Sequence, residues 1–291
     1  MKAKLLFTHT LTPLYPGTGQ GSGVIDLPIA REIATNIPYL PGSSLKGVLR
    51  DECKDEALCK TLFGPETKNI SDSNSQAGVL QFTDQRLLLL PVRSLSGTFA
   101  WVTAPYVLRR FKRTLTHLNI KDAPSGIPQP AKDEAHTALG SGLPLTIGQN
   151  KQAILEDLDF TAVTDQHLVT DWAEWMGKCL FPEDKKGEGW RKTFSEKLCV
   201  LHDDRFSFLL ETATEVIPRN VLDENKTSQN LWYEEALPAE SILEGLVIAQ
   251  AIGKSDNSDT ALTEMIKLTN GLIQLGGHAT IGRGFCRLIP A

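Results

Sequence analysis

The sequence predicts an α+β protein with helices on one face of an antiparallel sheet. Three observations carry that expectation. Apolar segments of strand character recur from one end of the chain to the other. Their order with the helical segments reads β–α–β–β–helices–β–α–β. Glycine-rich loops punctuate the elements near both termini. A hydrophobic content of 41% over 291 residues supports one large domain, or a core domain with a substantial insertion.

Residues 2–10 alternate and are rich in β-formers, giving a first strand. The loop 13–23, PLYPGTGQGSG, follows with four glycines. Pro41-Gly42-Ser43-Ser44 announces a helix, since either serine can cap its free N–H groups. Leu45, Val48, Leu49, Cys53 and Leu58 then recur at helical spacing as far as Phe63-Gly64-Pro65. Gly47 inside that helix costs about 1 kcal/mol relative to alanine, so a packing or ligand reason is expected for it.

Residues 66–77 are polar and read as a flexible loop, 79–92 as a buried strand and 97–103 as another. A helix is expected over 105–121, carrying Arg109, Arg110, Lys112, Arg113 and Lys121 and no acid. Proline and glycine make 122–150 a long loop or insertion boundary, and 161–194 contains helical stretches with Trp172, Trp175 and Trp190. Strands return at 198–202, then at 215–222 and 231–237 as an extended hairpin. A strand over 241–251, a helix over 258–275 and a strand over 285–289 close the chain.

A formal net charge of −5 argues against a generally basic coat for nucleic acid, because phosphate binding draws on Lys and Arg. The charge is nonetheless unevenly spread: 105–121 is +5, whereas 203–244 carries ten acids against three bases. That spread allows a local basic face on an otherwise acidic body. Five cysteines without a CxxC pair, behind an opening MKAKLLFTHT that lacks a signal-peptide pattern, indicate reduced thiols in a cytoplasmic setting. Cys53 and Cys59 fall six apart on the one expected helix and do not share a face. Leu87–Leu90 is far too short to cross a membrane, so no membrane partner is expected.

Three constellations carry chemistry. Gly276-Gly277-His278-Ala279-Thr280-Ile281-Gly282-Arg283-Gly284 permits close backbone approach, and Thr280 and Arg283 add donors that could nest an anion. It is neither a Walker loop nor a dinucleotide fingerprint, and a tight helix-to-strand turn is the plainer reading. Ser43, Ser44, Lys46 and Arg50 join a helix N-terminus to two cations on one face. Asp26, a lone carboxylate among apolar neighbours after a glycine loop, can ligate a divalent metal or take a proton from a ribose hydroxyl; a turn aspartate is the simpler alternative.

Five ordered segments carry a resemblance: LTPLYPGTG with GVIDLPIARE, PGSSLKGVLRD, PVRSLSGTFAWVT, TEVIPRNVLDENKTSQNLWYEEALP and LGGHATIGRGF. Together the chain resembles the RAMP proteins of type III CRISPR effectors. Within them it is most similar to the repeated backbone subunit of the type III-B (Cmr) complex, the fourth Cmr subunit. The resemblance implies a single RAMP domain over 1–291, a modified ferredoxin-like (RRM-type) palm with a helical insertion at 122–195 and a protruding thumb hairpin at 215–237. It implies copies stacked as a filament on a guide (CRISPR) RNA, a paired target single-stranded RNA, and other Cmr subunits as partners. Asp26 would cut the target with a divalent metal, Mg2+ or Mn2+, assisted by Lys46, Tyr233 or Glu234. Gly17, Gly19, Ser43, Ser44, Lys46, Arg50, Gly276, Gly277, Thr280, Gly282, Arg283 and Gly284 would line the RNA. Leu231 and Trp232, at the far end of the thumb, would wedge between bases. Family members often carry His where this chain has Tyr15, which puts the cleavage rate in question. A scaffold that binds RNA without cutting it, the type III-A counterpart, and a precursor-processing ribonuclease remain alternatives. The last would need a histidine-centred set that the six histidines do not form in sequence.

Overall fold

The computed structural model describes residues 2–19, 21, 23–65, 77–138, 145–148, 151–164, 167–182, 184–250 and 257–291. The polar loop expected at 66–77 lies outside them, Ala77 excepted. The chain forms β1 (Lys2–Thr10), β2 (Tyr39–Leu40), α1 (Gly42–Glu52), α2 (Glu56–Phe63), β3 (Leu80–Phe82), β4 (Gln85–Arg93), β5 (Phe99–Thr103) and α3 (Pro105–His117). It continues with β6 (Glu134–Thr137), β7 (Gln152–Leu155), β8 (Leu158–Thr164), α4 (Leu168–Leu180), α5 (Lys185–Lys197), β9 (Leu198–Leu201) and α6 (Asp203–Thr212). The hairpin β10 (Glu215–Leu222) and β11 (Ser228–Ala236) follows, then β12 (Ile242–Ala249), α7 (Ser258–Leu268), β13 (Ile273–Gln274) and β14 (Phe285–Pro290). No helix among the described residues is long and apolar enough to cross a membrane.

Strands β14, β1, β12 and β4 are antiparallel neighbours in that order. Counted along the chain they stand fourth, first, third and second, the arrangement of a ferredoxin-like palm. The sheet then runs on through β5, β9, β6, β8 and β7. Two of these neighbours, β5–β9 and β6–β8, are parallel, which the antiparallel expectation missed.

Helices cover both faces of the palm, not one. Phe7 packs edge-on against Phe111 of α3, while Lys2, of opposite parity on β1, pairs with Asp259 of α7. Residues 5–10 of β1 are accordingly all buried. The same double burial explains the unbroken apolar run Leu87–Leu90 on β4.

Other differences have local causes. The segment 122–195 is not simply helical, because β6, β7 and β8 precede α4 and α5, and β6 pairs with β9 to extend the main sheet. The strand expected at 79–92 breaks at Thr83-Asp84, and there the Asp84 carboxylate accepts a 2.8 Å hydrogen bond from Gly42 N–H. Asp84 thus occupies the start of α1, whose N-cap residue is Pro41, and neither Ser43 nor Ser44 caps the helix. The helix expected from Ser43 to Phe63 breaks at Cys53, and Asp55 caps a second helix through Leu58 N–H at 3.0 Å. That break faces Cys53 toward Cys59, with Cα atoms 5.8 Å apart and a disulfide between them, correcting the expectation of five free thiols. Of the three free cysteines, Cys199 and Cys286 are buried, which pushes their thiols up to about 12. Helix α6 was not foreseen.

Beneath α3, Glu32 accepts a bidentate pair of hydrogen bonds from Arg110 at 2.7 and 2.8 Å, and Arg86 approaches it to 3.3 Å. Glu244 on β12 faces the same group, but its nearest cation is Arg86 at 4.0 Å. Burial therefore pushes its carboxyl up to about 7, partly opposed by Arg86 and Arg110 and reinforced by Glu32. A folded-state value above the ordinary 4.5 means the native protein keeps a proton that the unfolded chain has released. Stability contributed by this group is complete below pH 4.5 and falls as pH rises to about 7. Glu244→Gln should abolish that fall and make the variant more stable than the parent at pH 8 by up to about 3 kcal/mol. Urea unfolding at pH 5 and pH 8 measures it, and parallel pH slopes for the two proteins would reject the assignment.

Candidate RNA-cleaving site at the hairpin root

The segment carrying Asp26 lies alongside β11 as a short third strand. Leu27 pairs parallel to Glu234; its N–H donates to Tyr233 O at 3.1 Å, and its carbonyl accepts from Glu235 N–H at 3.0 Å. Asp26 itself is exposed, and its Oδ2 accepts a 2.8 Å hydrogen bond from Tyr233 N–H. Gly21 N–H donates to Asp26 O at 2.8 Å, closing the loop behind the carboxylate. A cleft of about 430 Å³ opens here, lined by Gly21, Asp26, Leu27, Asn230, Leu231 and Trp232. The structure thus brings Asp26 and the two expected wedge residues to one place.

Leu231 and Trp232 are in the third and fourth pairs from the turn of the hairpin, opposite Asn220 and Arg219, not at its tip. Leu231 is 54% exposed, whereas the Trp232 indole N–H is tied to Glu234 Oε1 at 3.0 Å. The tip is a turn held by Asp223, whose Oδ1 accepts from Asn225 and Thr227 N–H, both at 2.8 Å.

Two consecutive carboxylates root the hairpin, facing opposite sides because they are neighbours on a strand. Glu235 accepts from Ile29 N–H at 3.1 Å, Thr214 Oγ1 at 2.9 Å and Arg31 at 2.5 Å, and Arg31 also donates to the carbonyls of Asn36 and Leu210. Glu234 accepts from Arg219 Nε at 3.1 Å and lies 3.4 Å from His278 Nδ1 and 3.7 Å from Arg283 Nη1. Burial alone would raise its pKa; the hydrogen bonds from Trp232 and Arg219 and the charge of His278 outweigh that and hold it below the ordinary carboxylate range. A carboxylate so engaged is a structural anchor, and the expectation that Glu234 assists the chemistry directly does not fit. Tyr233 contributes its backbone N–H to Asp26, with its ring 40% exposed.

The glycine loop is folded onto the segment 13–15. Gly277 N–H donates to Tyr15 O and Gly284 N–H to Pro13 O, each at 2.9 Å. Ile281, Gly282 and Arg283 N–H groups close on His278 and Ala279 carbonyls within the loop. Gly276 has φ 70°, and a Cβ there would meet Tyr15 O at 2.4 Å. These glycines serve the tight turn and its close packing; most of the expected anion-binding N–H groups are engaged inside the chain. Arg283 also departs from expectation, because it is buried and aimed at Glu234 rather than outward. Thr280 and Gly282 remain exposed. Gly17 pairs with Ile29, where a Cβ would collide with the Tyr15 ring at 2.4 Å, and Gly19, at φ 95°, stands in open space.

On α1, Ser43, Ser44 and Gly47 are exposed and Lys46 is half-buried, while Arg50 donates to Pro65 O at 3.1 Å. No atom lies within 4 Å of where a Gly47 Cβ would sit, so its expected internal packing reason is absent among the described residues. The +5 helix is less free than its charge suggested. Arg110 is held by Glu32, Arg109 by Asp203 at 3.1 Å, and Lys112 by Ser125 O. Among the described residues no group of three or more His, Cys, Asp or Glu is arranged to hold a metal ion.

Sequence reasoning did not single out Arg31, Glu235, Arg219 or His278 as site residues. The run GVIDLPIARE together with WYEEA held a signal for the first two, since a buried acid pair in a strand requires cations from elsewhere.

A family model described as the RAMP superfamily matches residues 9–287. The chain is similar to the CRISPR system Cmr endoribonuclease Cmr4 of Pyrococcus furiosus, 34% identical over 297 residues, covering 99% of this chain and 95% of that protein. It is also similar to the crystal structure of oligomeric Cmr4 from Pyrococcus furiosus, with TM-score 0.76 and 29% identity over 100% and 98% of the two chains. A subunit in the cryo-EM structure of a type III-B Cmr-beta complex bound to cognate target RNA shares the fold, at TM-score 0.71 and 19% identity over 100% and 97% of the two chains.

Arg31→Met should destabilise the protein by about 3–5 kcal/mol, because it strands a buried carboxylate. The double variant Arg31→Met/Glu235→Met should recover most of that loss. Urea midpoints for the two single variants and the double decide it, and strict additivity would show that the pair does not act as a unit.

Proposed function

The chain belongs to the RAMP superfamily, and from that membership we propose that it is a guide-RNA-binding backbone subunit of a type III-B CRISPR effector and the endoribonuclease that cuts the paired target RNA. The observation that carries this reading is the carboxylate of Asp26, pinned by Tyr233 N–H at the mouth of a cleft bordered by Leu231 and Trp232. The 34% identity over nearly the whole chain to a Cmr endoribonuclease supports the activity, and the likeness to an oligomeric Cmr4 supports stacking on copies of itself. Its partners are the guide (CRISPR) RNA, the target single-stranded RNA, further copies of the chain and other Cmr subunits.

Leu231, exposed on the hairpin, displaces a base from the stack and leaves the neighbouring ribose splayed beside Asp26. The Asp26 carboxylate then orients the ribose 2′-hydroxyl and accepts its proton as the oxygen turns in line with the scissile phosphate. Tyr233 N–H fixes Oδ2, so the remaining oxygen, Oδ1, meets the RNA. A single carboxylate oxygen is compatible with Mg2+ or Mn2+, ions that bind through one or two carboxylates with water and phosphate completing the shell. Were Asp26 to hold such an ion instead of taking the proton, the ion would neutralise charge at the phosphate. Tyr15 cannot act as a base here, because burial and the nearby Glu234 charge push its phenol above the ordinary value. Recognition of the RNA backbone falls to Ser43, Ser44, Lys46, Thr280 and Gly282, which border the surface.

Asp26→Asn in a reconstituted effector should bind guide and target as the parent does while cleavage drops by roughly 10²-fold or more. Cleavage at the parental rate would remove Asp26 from the mechanism. A parent complex that binds target RNA but never cuts it, with Mg2+ or Mn2+ supplied, would leave only the scaffold reading.

A further inference from the structure

Among the described residues lining the Asp26 cleft, Trp232 is the one aromatic side chain, beside Gly21, Leu27, Asn230 and Leu231. It is half-buried, and its indole N–H is spent on Glu234 Oε1 at 3.0 Å, so what it offers the cleft is apolar ring surface. The anchor is itself held. Glu234 also accepts from Arg219 Nε at 3.1 Å and lies 3.4 Å from His278 Nδ1, and the His278 imidazole is stacked on the Tyr15 ring with centroids 4.6 Å apart. A tryptophan tied through its only polar atom to a buried, multiply engaged carboxylate is a rigid wall.

Strand geometry sets where that wall stands relative to Asp26. Leu231 and Trp232, as neighbours on β11, face opposite sides of the ribbon, and Asn230 shares the side of Trp232. Tyr233 turns its N–H and its carbonyl away from β10, toward Asp26 and Leu27, and its partner across the hairpin is Pro218, which has no N–H to pair. The Asp26 carboxylate therefore stands at the outer edge of the strand, with the exposed Leu231 on one side and Trp232 with Asn230 on the other. Among the described residues the Asn230 side chain is exposed and has no hydrogen-bond partner. Its carboxamide keeps both donor and acceptor for a ligand in the cleft.

Resting on the reading of Asp26 as the cleaving carboxylate, we propose that the cleft is a nucleobase site for the displaced target nucleotide, in which Trp232 is the surface the base stacks on and Asn230 selects adenine by its edge. The cleft volume of about 430 Å³ lies in the range of sites that hold small ligands. Stacking on an aromatic ring accepts every base, since each has a π-face, so selection falls to the edge. The carboxamide sets a donor beside an acceptor, and adenine answers it twice, with N7 and N6–H2 on one edge and N1 and N6–H2 on the other. Guanine offers two acceptors, N7 and O6, on the first of those edges, and a pyrimidine offers a single polar group there. A base held on the Trp232 side carries its ribose across the strand edge to Asp26, which places the 2′-hydroxyl at the carboxylate that orients it.

The test is a binding competition among four target RNAs for the assembled effector. They differ only in the base at the displaced positions and carry 2′-deoxyribose at the scissile nucleotides, so cleavage does not enter the measurement. The parent should hold the adenine target at least about fivefold more tightly than the others, and Asn230→Ala should bring all four within about twofold. Trp232→Leu should weaken all four by roughly tenfold, and Trp232→Phe, which restores a ring, should recover most of that loss. Equal affinities in the parent, or an adenine preference that survives Asn230→Ala, would overturn the proposal. So would a loss at Trp232→Leu that is absent, or that Trp232→Phe shares in full. Asp26→Asn, given a target with its 2′-hydroxyls intact, keeps the two readings apart. Cutting at the parental rate in that variant, beside the adenine pattern above, removes the carboxylate and leaves the base site. Lost cutting beside equal affinities for the four targets does the reverse.

Discussion

Two adjacent buried carboxylates, Glu234 and Glu235, are the constraint on which the rest of the site depends. Consecutive residues on a strand must face opposite sides, so one acid is driven into the glycine-loop side and the other into the side of residues 29–31. Neither can be left unpaired, because an isolated buried charge costs several kcal/mol. Residues from three segments answer them: Arg31, Arg219 of the facing hairpin strand, and His278 with Arg283 of the glycine loop. The hairpin is thereby welded to the loop that carries Asp26 and to the C-terminal turn. A two-stranded ribbon on its own is marginal in water, and these contacts at its root give it a fixed direction.

Much of the fold was legible because its signals are local. The strand at the N-terminus, the hairpin at 215–237 and the closing strand at 285–290 each announce themselves by pattern and flanking turns. What escaped depends on partners far away in the chain. The start of α1 is held by Asp84, 42 residues on, so Ser43 and Ser44 were natural but mistaken choices. The parallel pairing of β5 with β9 joins segments about a hundred residues apart. Double coverage of β1 could not be separated from single coverage by alternation alone, since Lys2 and Lys4 at its exposed start mimic a one-sided strand. In the site, the position of Asp26 was readable, whereas the inward turn of Arg283 and the stacking of His278 on Tyr15 were not. A side chain's direction in a glycine loop is set by the surface onto which the loop folds, and here that surface is residues 13–15.

The same long-range pairing reshapes the charge pattern. Seen in sequence, the +5 helix and the acidic stretch 203–244 looked like two separate faces. In three dimensions Arg109 meets Asp203, Arg110 meets Glu32, and Glu234, Glu235 and Glu244 are inside the protein. A good part of the apparent polarity is thus internal structure. Lys46 and the exposed start of α1 matter correspondingly more, although Arg50 on the same helix is tied to Pro65 O.

Gly47 gives that surface a different kind of meaning. It stands in the middle of α1 with open space where a side chain would go, so nothing among the described residues compensates for the helix propensity it forfeits. An isolated subunit would be the steadier for an alanine there. The bare backbone at Gly47 is therefore open to close approach by another molecule. Stability screens on the lone chain would favour the replacement and miss what it takes away.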